Sequence, residues 1–365
     1  VLVGMNDFAF SCELGAGEAF TTPQAVQVYA PSRDAITCEM HKFVNRHILR
    51  GMYARAERPV IINNWEATYF DFTVPKIVEL AKKAKNIGVE LFVLDDGWFS
   101  TRNNDTSGLG DWSDNLEKTE GGIRVLAEKI REIGLQFGIW VEPEMVNPNS
   151  ELYRLHPEWA VTIDGRTPIQ LRNQYILDLA NPEVVNYLLE QIAGVIERCR
   201  ADYIKWDCNR FMTEFYSRTL KNQGMFLYRF MQGFYRLIGT LTMRYPQVLF
   251  EGCAGGGARY DLGLMCFTPQ IWTSDNTDAR MRTKIQEGSL YGIPQSVMSA
   301  HVSIVPNHQT GNTTPLESRF NVAAAGILGY EYDLTKASEE ELACMKKQIA
   351  FYKKHRALLQ YGQYH

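Results

Sequence analysis

The sequence predicts an α/β protein, a (β/α)8 barrel of the TIM type. Three observations carry that prediction. Strand-like runs alternate with helix-like runs eight times between Pro59 and Leu359, and such alternation implies parallel strands joined by crossover helices. The alternating region is about 300 residues long, inside the range of such barrels. The charged and amide side chains gather at the C-terminal ends of the strands, where the βα loops of a barrel build its site. An open doubly wound sheet is the architectural alternative, but the first strand runs into Asn63-Asn64-Trp65-Glu66, without the glycine-rich turn that such sheets often use.

The elements follow in order. Residues 1–55 differ from the rest. Phe8-Ala9-Phe10 and Val26-Gln27-Val28-Tyr29 look like short strands, and Ala35 to Leu49 like a helix. This segment is expected to be the end of an N-terminal β-sandwich domain with a linker helix, and residues 56–365 the barrel. Pro59–Trp65 is an apolar run of strand length. Val74–Ile87 carries Ile77, Leu80, Ala81 and Ala84 at helical spacing and stops at Gly88. Strands are then expected at Val89–Trp98, Gln136–Val141, Asp202–Trp206, Val248–Phe250, Ile271–Thr273, Gln295–Val302 and Ile327–Tyr332. The intervening helices are expected at Ile123–Ile133, Pro182–Arg200, Met225–Tyr245, Thr277–Tyr291, Glu317–Gly326 and Ser338–Leu359.

Composition narrows the partners. In 365 residues the formal net charge is −4, 45% of residues are hydrophobic and 22% are charged. Such a chain can bury a large core and offers no basic surface for nucleic acid. No apolar run approaches the roughly 18–20 residues of a membrane span. The seven cysteines are odd in number and scattered, which suits free thiols in a reducing compartment and hence a cytoplasmic location. The chain opens on Val1 rather than Met, and it reads as an excerpt of a longer protein.

The chemistry is expected at the strand ends. In Lys205-Trp206-Asp207-Cys208-Asn209 the period of two puts Lys205, Asp207 and Asn209 on one face. A lysine beside an aspartate favours the ionised carboxylate, which is what a glycosidase nucleophile needs. The alternative is a structural ion pair at the barrel rim. Asp275 ends the sixth strand and can face Asp207 across the mouth. Asp278 is a rival for the acid role, although its place in the first turn of a helix also suits a cap. Asp95-Asp96-Gly97-Trp98 presents paired carboxylates that can hold sugar hydroxyls or a divalent metal. No third ligand stands near them in sequence, so no metal is expected. Trp65 and Trp98 are expected at the mouth. Gly255-Gly256-Gly257 reads as a turn that lets backbone approach a ligand, and Cys253 as a pocket wall.

Taken together, Asn64-Trp65-Glu66, Leu94-Asp95-Asp96-Gly97-Trp98, Trp140-Val141-Glu142-Pro143-Glu144-Met145, Lys205-Trp206-Asp207-Cys208-Asn209, Glu251-Gly252-Cys253-Ala254-Gly255-Gly256-Gly257 and Trp272-Thr273-Ser274-Asp275 resemble the family 36 glycoside hydrolases, the bacterial α-galactosidases or melibiases. The resemblance runs through nearly the whole chain in strand order. It implies Asp207 as nucleophile and Asp275 as acid/base of a retaining double displacement. It also implies substrate binding by Trp65, Asp95, Asp96, Arg172 and Lys205, with Asn209 beside them and Cys253 and Gly255 near the sugar's 2-position. The implied substrates are galacto-oligosaccharides such as melibiose and raffinose, with no cofactor. An α-N-acetylgalactosaminidase or a galactosyl transferase of raffinose-type sugars is the alternative on the same site. A non-catalytic galactoside-binding barrel and a divalent-metal barrel enzyme are alternatives of other classes. The full-length protein is expected to be a homo-oligomer.

Overall fold

The computed structural model describes residues 3–364; Val1, Leu2 and His365, at the ends of the two expected segments, lie outside it. Eight parallel strands close into a barrel. They are β1 (Ile61–Asn63), β2 (Leu91–Leu94), β3 (Gln136–Val141), β4 (Tyr203–Trp206), β5 (Leu249–Gly252), β6 (Gln270–Trp272), β7 (Met298–Ser303) and β8 (Ile327–Glu331). The helices that follow them are α1 (Val74–Ile87), α2 (Ile123–Glu132), α3 (Pro182–Cys199), α4 (Phe226–Arg244), the short α5 (Leu262–Met265), α6 (Ala279–Leu290), α7 (Leu316–Ala323) and α8 (Glu339–Tyr361). Each strand pairs with its neighbours in parallel, and β1 closes on β8 as Ile61 opposes Gly329.

The helices show why these boundaries hold. The α1 helix starts where the Thr73 hydroxyl accepts from the Lys76 amide and ends on Gly88 in the left-handed conformation. It buries Ile77, Leu80, Ala81, Ala84 and Ile87. The last helix opens with a capping box between Ser338 and Glu341, and it closes the barrel wall as Arg356 pairs with Glu90 at 2.7 Å. Bulky residues fill the barrel interior, including Ile61, Leu91, Val93, Tyr203 and Leu249. Gly138 makes room for Tyr203: a Cβ there would meet the tyrosine ring at 2.9 Å.

The leader departs from expectation. Among residues 3–31 no strand forms, and Phe8–Phe10 and Val26–Tyr29 are irregular. A short extended segment needs a partner edge to hold its backbone bonds, and the barrel offers none. The segment rests on α4 instead, where Phe20 packs against Tyr228 with ring centroids 4.9 Å apart. A helix then forms over Arg33–Phe43 and continues as a wider π turn over Val44–Ile48. The long connection after β3 also holds a small antiparallel hairpin, Met145–Val146 against Tyr175–Ile176, that the sequence did not announce. Among the described residues no helix is long and apolar enough to cross a membrane.

Candidate active site

The C-terminal ends of the strands surround a cavity of about 240 Å³, a volume of monosaccharide scale. Asp207 follows β4 and Asp275 follows β6, and both line it. The strand period delivers Lys205, Asp207 and Asn209 to the same cavity, as the sequence predicted. Trp65, Asp95, Asp96 and Arg172 line it too. Arg172 comes from the connection between the two short strands Met145–Val146 and Tyr175–Ile176, and takes a positive φ of 50°.

Asp207 is buried, and its surroundings are built to keep it ionised. Burial opposes the charge, but the Lys205 ammonium and hydrogen bonds from Cys253, Asn209 and Trp140 outweigh it and hold the carboxyl below its ordinary range. The Trp140 indole donates to Oδ2 at 3.1 Å, and the Cys208 amide donates to Oδ1 at 2.8 Å. Asp275 is displaced the other way. Burial, and then the negative charge of Asp207, push it up, against the partial relief of Lys205 and a hydrogen bond from the Trp272 indole at 3.0 Å. One cavity therefore holds two carboxyls shifted in opposite directions, Asp207 toward its charged form and Asp275 toward its protonated form.

The paired aspartates are firmly held. Lys205 donates to Asp95 Oδ2 at 2.8 Å, and the Asn63 amide donates to the same oxygen at 2.6 Å. Arg102 grips Asp96, its Nη2 donating to Oδ2 at 2.8 Å and its Nε to Oδ1 at 3.0 Å. Burial still raises Asp96, with Arg102 opposing. Glu142, at the end of β3, is fully enclosed; burial and the neighbouring Asp207 push it up to about 8. It accepts from the Asn209 amide nitrogen and from Gln174 Nε2.

Several expected residues fall elsewhere. Trp98 is not at the mouth. It is wholly buried, with its indole donating to the Trp140 carbonyl at 2.9 Å and its ring packed on Phe99 and Trp112. The turn after Asp96 swings it into the core, where it supports the strand that carries Trp140. Cys253 stands behind Asp207 and outside the cavity lining, and Gly255 is exposed with open space around it. The glycine run has a different neighbour from the one expected. A Cβ on Gly256 would meet the Asp275 amide nitrogen at 2.7 Å, so the bare backbone lets the loop carrying Asp275 pack close. Asp278 caps α6, accepting from the Arg280 amide and from Thr310 and Asn312, and does not line the cavity. Among the described residues no group of three or more metal-ligating side chains converges.

Sequence reasoning gave no role to Trp140, Trp272, Arg102, Glu66, His308 or Glu331, all of which line the cavity. Trp140 was within reach of the strand period, since it shares a face with Glu142. Arg102 and His308 arrive from loops and carry no such signal.

A (β/α)8 barrel with two carboxyls of opposed acidity at one mouth is the arrangement of barrels that cleave glycosidic bonds. Residues 19–362 match the melibiase family, and the chain belongs to that family. It is 47% identical over its whole length to the α-galactosidase AgaA of Geobacillus stearothermophilus and 45% identical to the α-galactosidase Mel36A of Lactobacillus acidophilus. The solved structure of AgaA superimposes with a TM-score of 0.97 over 99% of this chain and 51% of that one. Substituted forms of AgaA have been solved with raffinose and with stachyose. The chain spans about half the length of these curated relatives, 50% in each case.

Proposed function

We propose that the chain carries the active site of a retaining α-galactosidase that releases terminal α-linked galactose from oligosaccharides such as melibiose and raffinose. The observation that carries this reading is the opposed acidity of Asp207 and Asp275 in one cavity. Asp207 attacks the anomeric carbon while Asp275 protonates the departing oxygen, so that a galactosyl ester forms on Asp207. Asp275, now a carboxylate, takes a proton from water, which displaces Asp207 with net retention. Asp95, Asp96, Lys205, Arg172 and Asn209 orient the ring by its hydroxyls, and Trp65 closes one wall. Cys253 acts from behind, by donating to Asp207, and Gly256 by letting the loop that carries Asp275 pack close. Residues 56–365 are the catalytic unit, with residues 1–55 a segment outside it.

The names of the relatives support this reading, as does the similarity over the full chain. The substrate is a neutral carbohydrate; a cytoplasmic location and a homo-oligomeric full-length protein complete the proposal. The test is Asp207→Ala in the full-length protein. Turnover of an aryl α-galactoside should collapse, and azide should restore it with an inverted β-galactosyl azide as product. Unchanged turnover would sink the assignment.

A further inference from the structure

Apart from Trp65, the reaction leaves the stretch of cavity wall from β7 through β1 without a role. His308, in the loop after β7, lines the cavity with its side chain 33% exposed. Its Nδ1 lies 3.3 Å from Glu66 Oε1. Glu66 follows Trp65, is almost fully buried, and accepts from the Thr277 hydroxyl at 2.7 Å. Thr277 stands two residues after Asp275 and accepts in turn from the Asn307 amide at 3.0 Å. The second oxygen of Glu66 is buried with no hydrogen-bond partner among the described residues. One carboxylate therefore ties together the loops after β1, β6 and β7.

The geometry of the reaction decides what meets this wall. The acid must reach the glycosidic oxygen, so the scissile bond runs from a ring held on the Asp207 side toward the Asp275 side. Whatever hangs on that oxygen lies beyond Asp275, among the loops after β6, β7 and β1. There the wall offers aromatic surface and one hydrogen-bonding ring. Trp65 packs on Tyr69 and Phe70 with centroids 5.2 and 5.1 Å away, and Tyr69 stands 6.4 Å from His308. Apolar faces with a few placed polar groups are how sites hold ring-shaped polar ligands.

We propose that His308, oriented by Glu66, is the specificity-determining contact for a hexose leaving group, its Nε2 hydrogen-bonding a hydroxyl of the sugar attached to the galactosyl residue. The proposal rests on the α-galactosidase reading and names the leaving-group chemistry of that same site. With Nδ1 turned to the carboxylate, Nε2 is the ring nitrogen that faces a ligand. Glu66 is a positioning residue: it fixes the ring and, through Thr277, holds the imidazole in register with the loop that carries Asp275.

The test compares melibiose with p-nitrophenyl α-galactoside in the full-length protein. His308→Ala should lower the ratio of kcat/KM for melibiose to that for the aryl galactoside about tenfold, the scale of one lost hydrogen bond in a closed site. The change should fall mainly on KM for melibiose. His308→Gln, which keeps a donor, should recover part of the ratio, and Glu66→Gln should lower it about threefold. Melting curves of the variants report whether each is folded. An unchanged ratio in folded His308→Ala, with both substrates hydrolysed, overturns the proposal and leaves the galactosidase reading intact. A wild-type protein that releases galactose from neither substrate overturns the reading beneath it.

Discussion

The two halves of the barrel mouth differ in how far their charges are already engaged. On the arc from β2 to β4, Asp95 is held by Lys205 and Asn63, Asp96 by Arg102, and Glu142 by Asn209 and Gln174. On the arc from β6 round to β1, His308 is partly exposed and Glu66 has a free oxygen. A site that must hold a ring within a fraction of an ångström needs side chains fixed by their own partners. The engaged arc suits the galactosyl ring, which every substrate of the proposed reaction shares. The open arc suits the leaving group, which varies.

The comparison breaks most sharply at the two carboxyls. Asp207→Ala should cost on the order of 10⁴-fold or more in kcat on any α-galactoside, because no covalent intermediate can form. Asp275→Asn should cost about 10²–10⁴-fold on melibiose. Its cost on an aryl galactoside with an activated phenol should be much smaller, since that leaving group departs without a proton. Steady-state kinetics on the two substrates would check both. Equal losses on both substrates in Asp275→Asn would remove it from the acid role.

The engaged arc should also contribute to stability. Arg102 and Asp96 are almost wholly buried, with side chains 2% and 8% exposed. Arg102→Met strands a buried carboxylate and should destabilise the fold by about 3 kcal/mol, the usual scale of breaking one side of a buried pair. Adding Asp96→Asn should restore part of that loss. Urea denaturation of the single and double variants would measure it, and a single variant as stable as the parent would show that the arc is not held by this pair.

Much of this was legible in the sequence because it was local. The span of α1 follows from Thr73, Pro75 and Gly88, each acting within a turn. The common face of Lys205, Asp207 and Asn209 follows from the strand period alone. The rest depended on what lies across space. Trp98 stands next to a site motif yet faces the core, because the positive φ of 103° at Gly97 turns the chain after Asp96. Phe8–Phe10 has strand-like residues but no edge to pair with. His301 and His308 find their partners only across space: the first is buried 3.5 Å from Glu331, while the second meets Glu66 because barrel closure brings the loops after β1 and β7 together.

The finest difference between the two halves is a matter of one indole each. Trp140 donates to Asp207, and Trp272 donates to Asp275. A donor to a carboxylate favours its charged form, so removing either donor raises the pKa of its own partner. Asp207 must be ionised to attack, and its activity is lost as pH falls through its lowered pKa. Trp140→Phe should therefore move the acid limb of kcat/KM upward. Asp275 must hold its proton, and activity is lost as pH rises through its raised pKa. Trp272→Phe should therefore move the alkaline limb upward and extend the active range. Each shift should be about 1–2 pH units, the worth of one hydrogen bond to a charged carboxylate. The pH profiles of the free enzyme read these groups directly. If either variant moved both limbs together, the two indoles would be acting through the shared electrostatics of the cavity and not each on its own carboxyl.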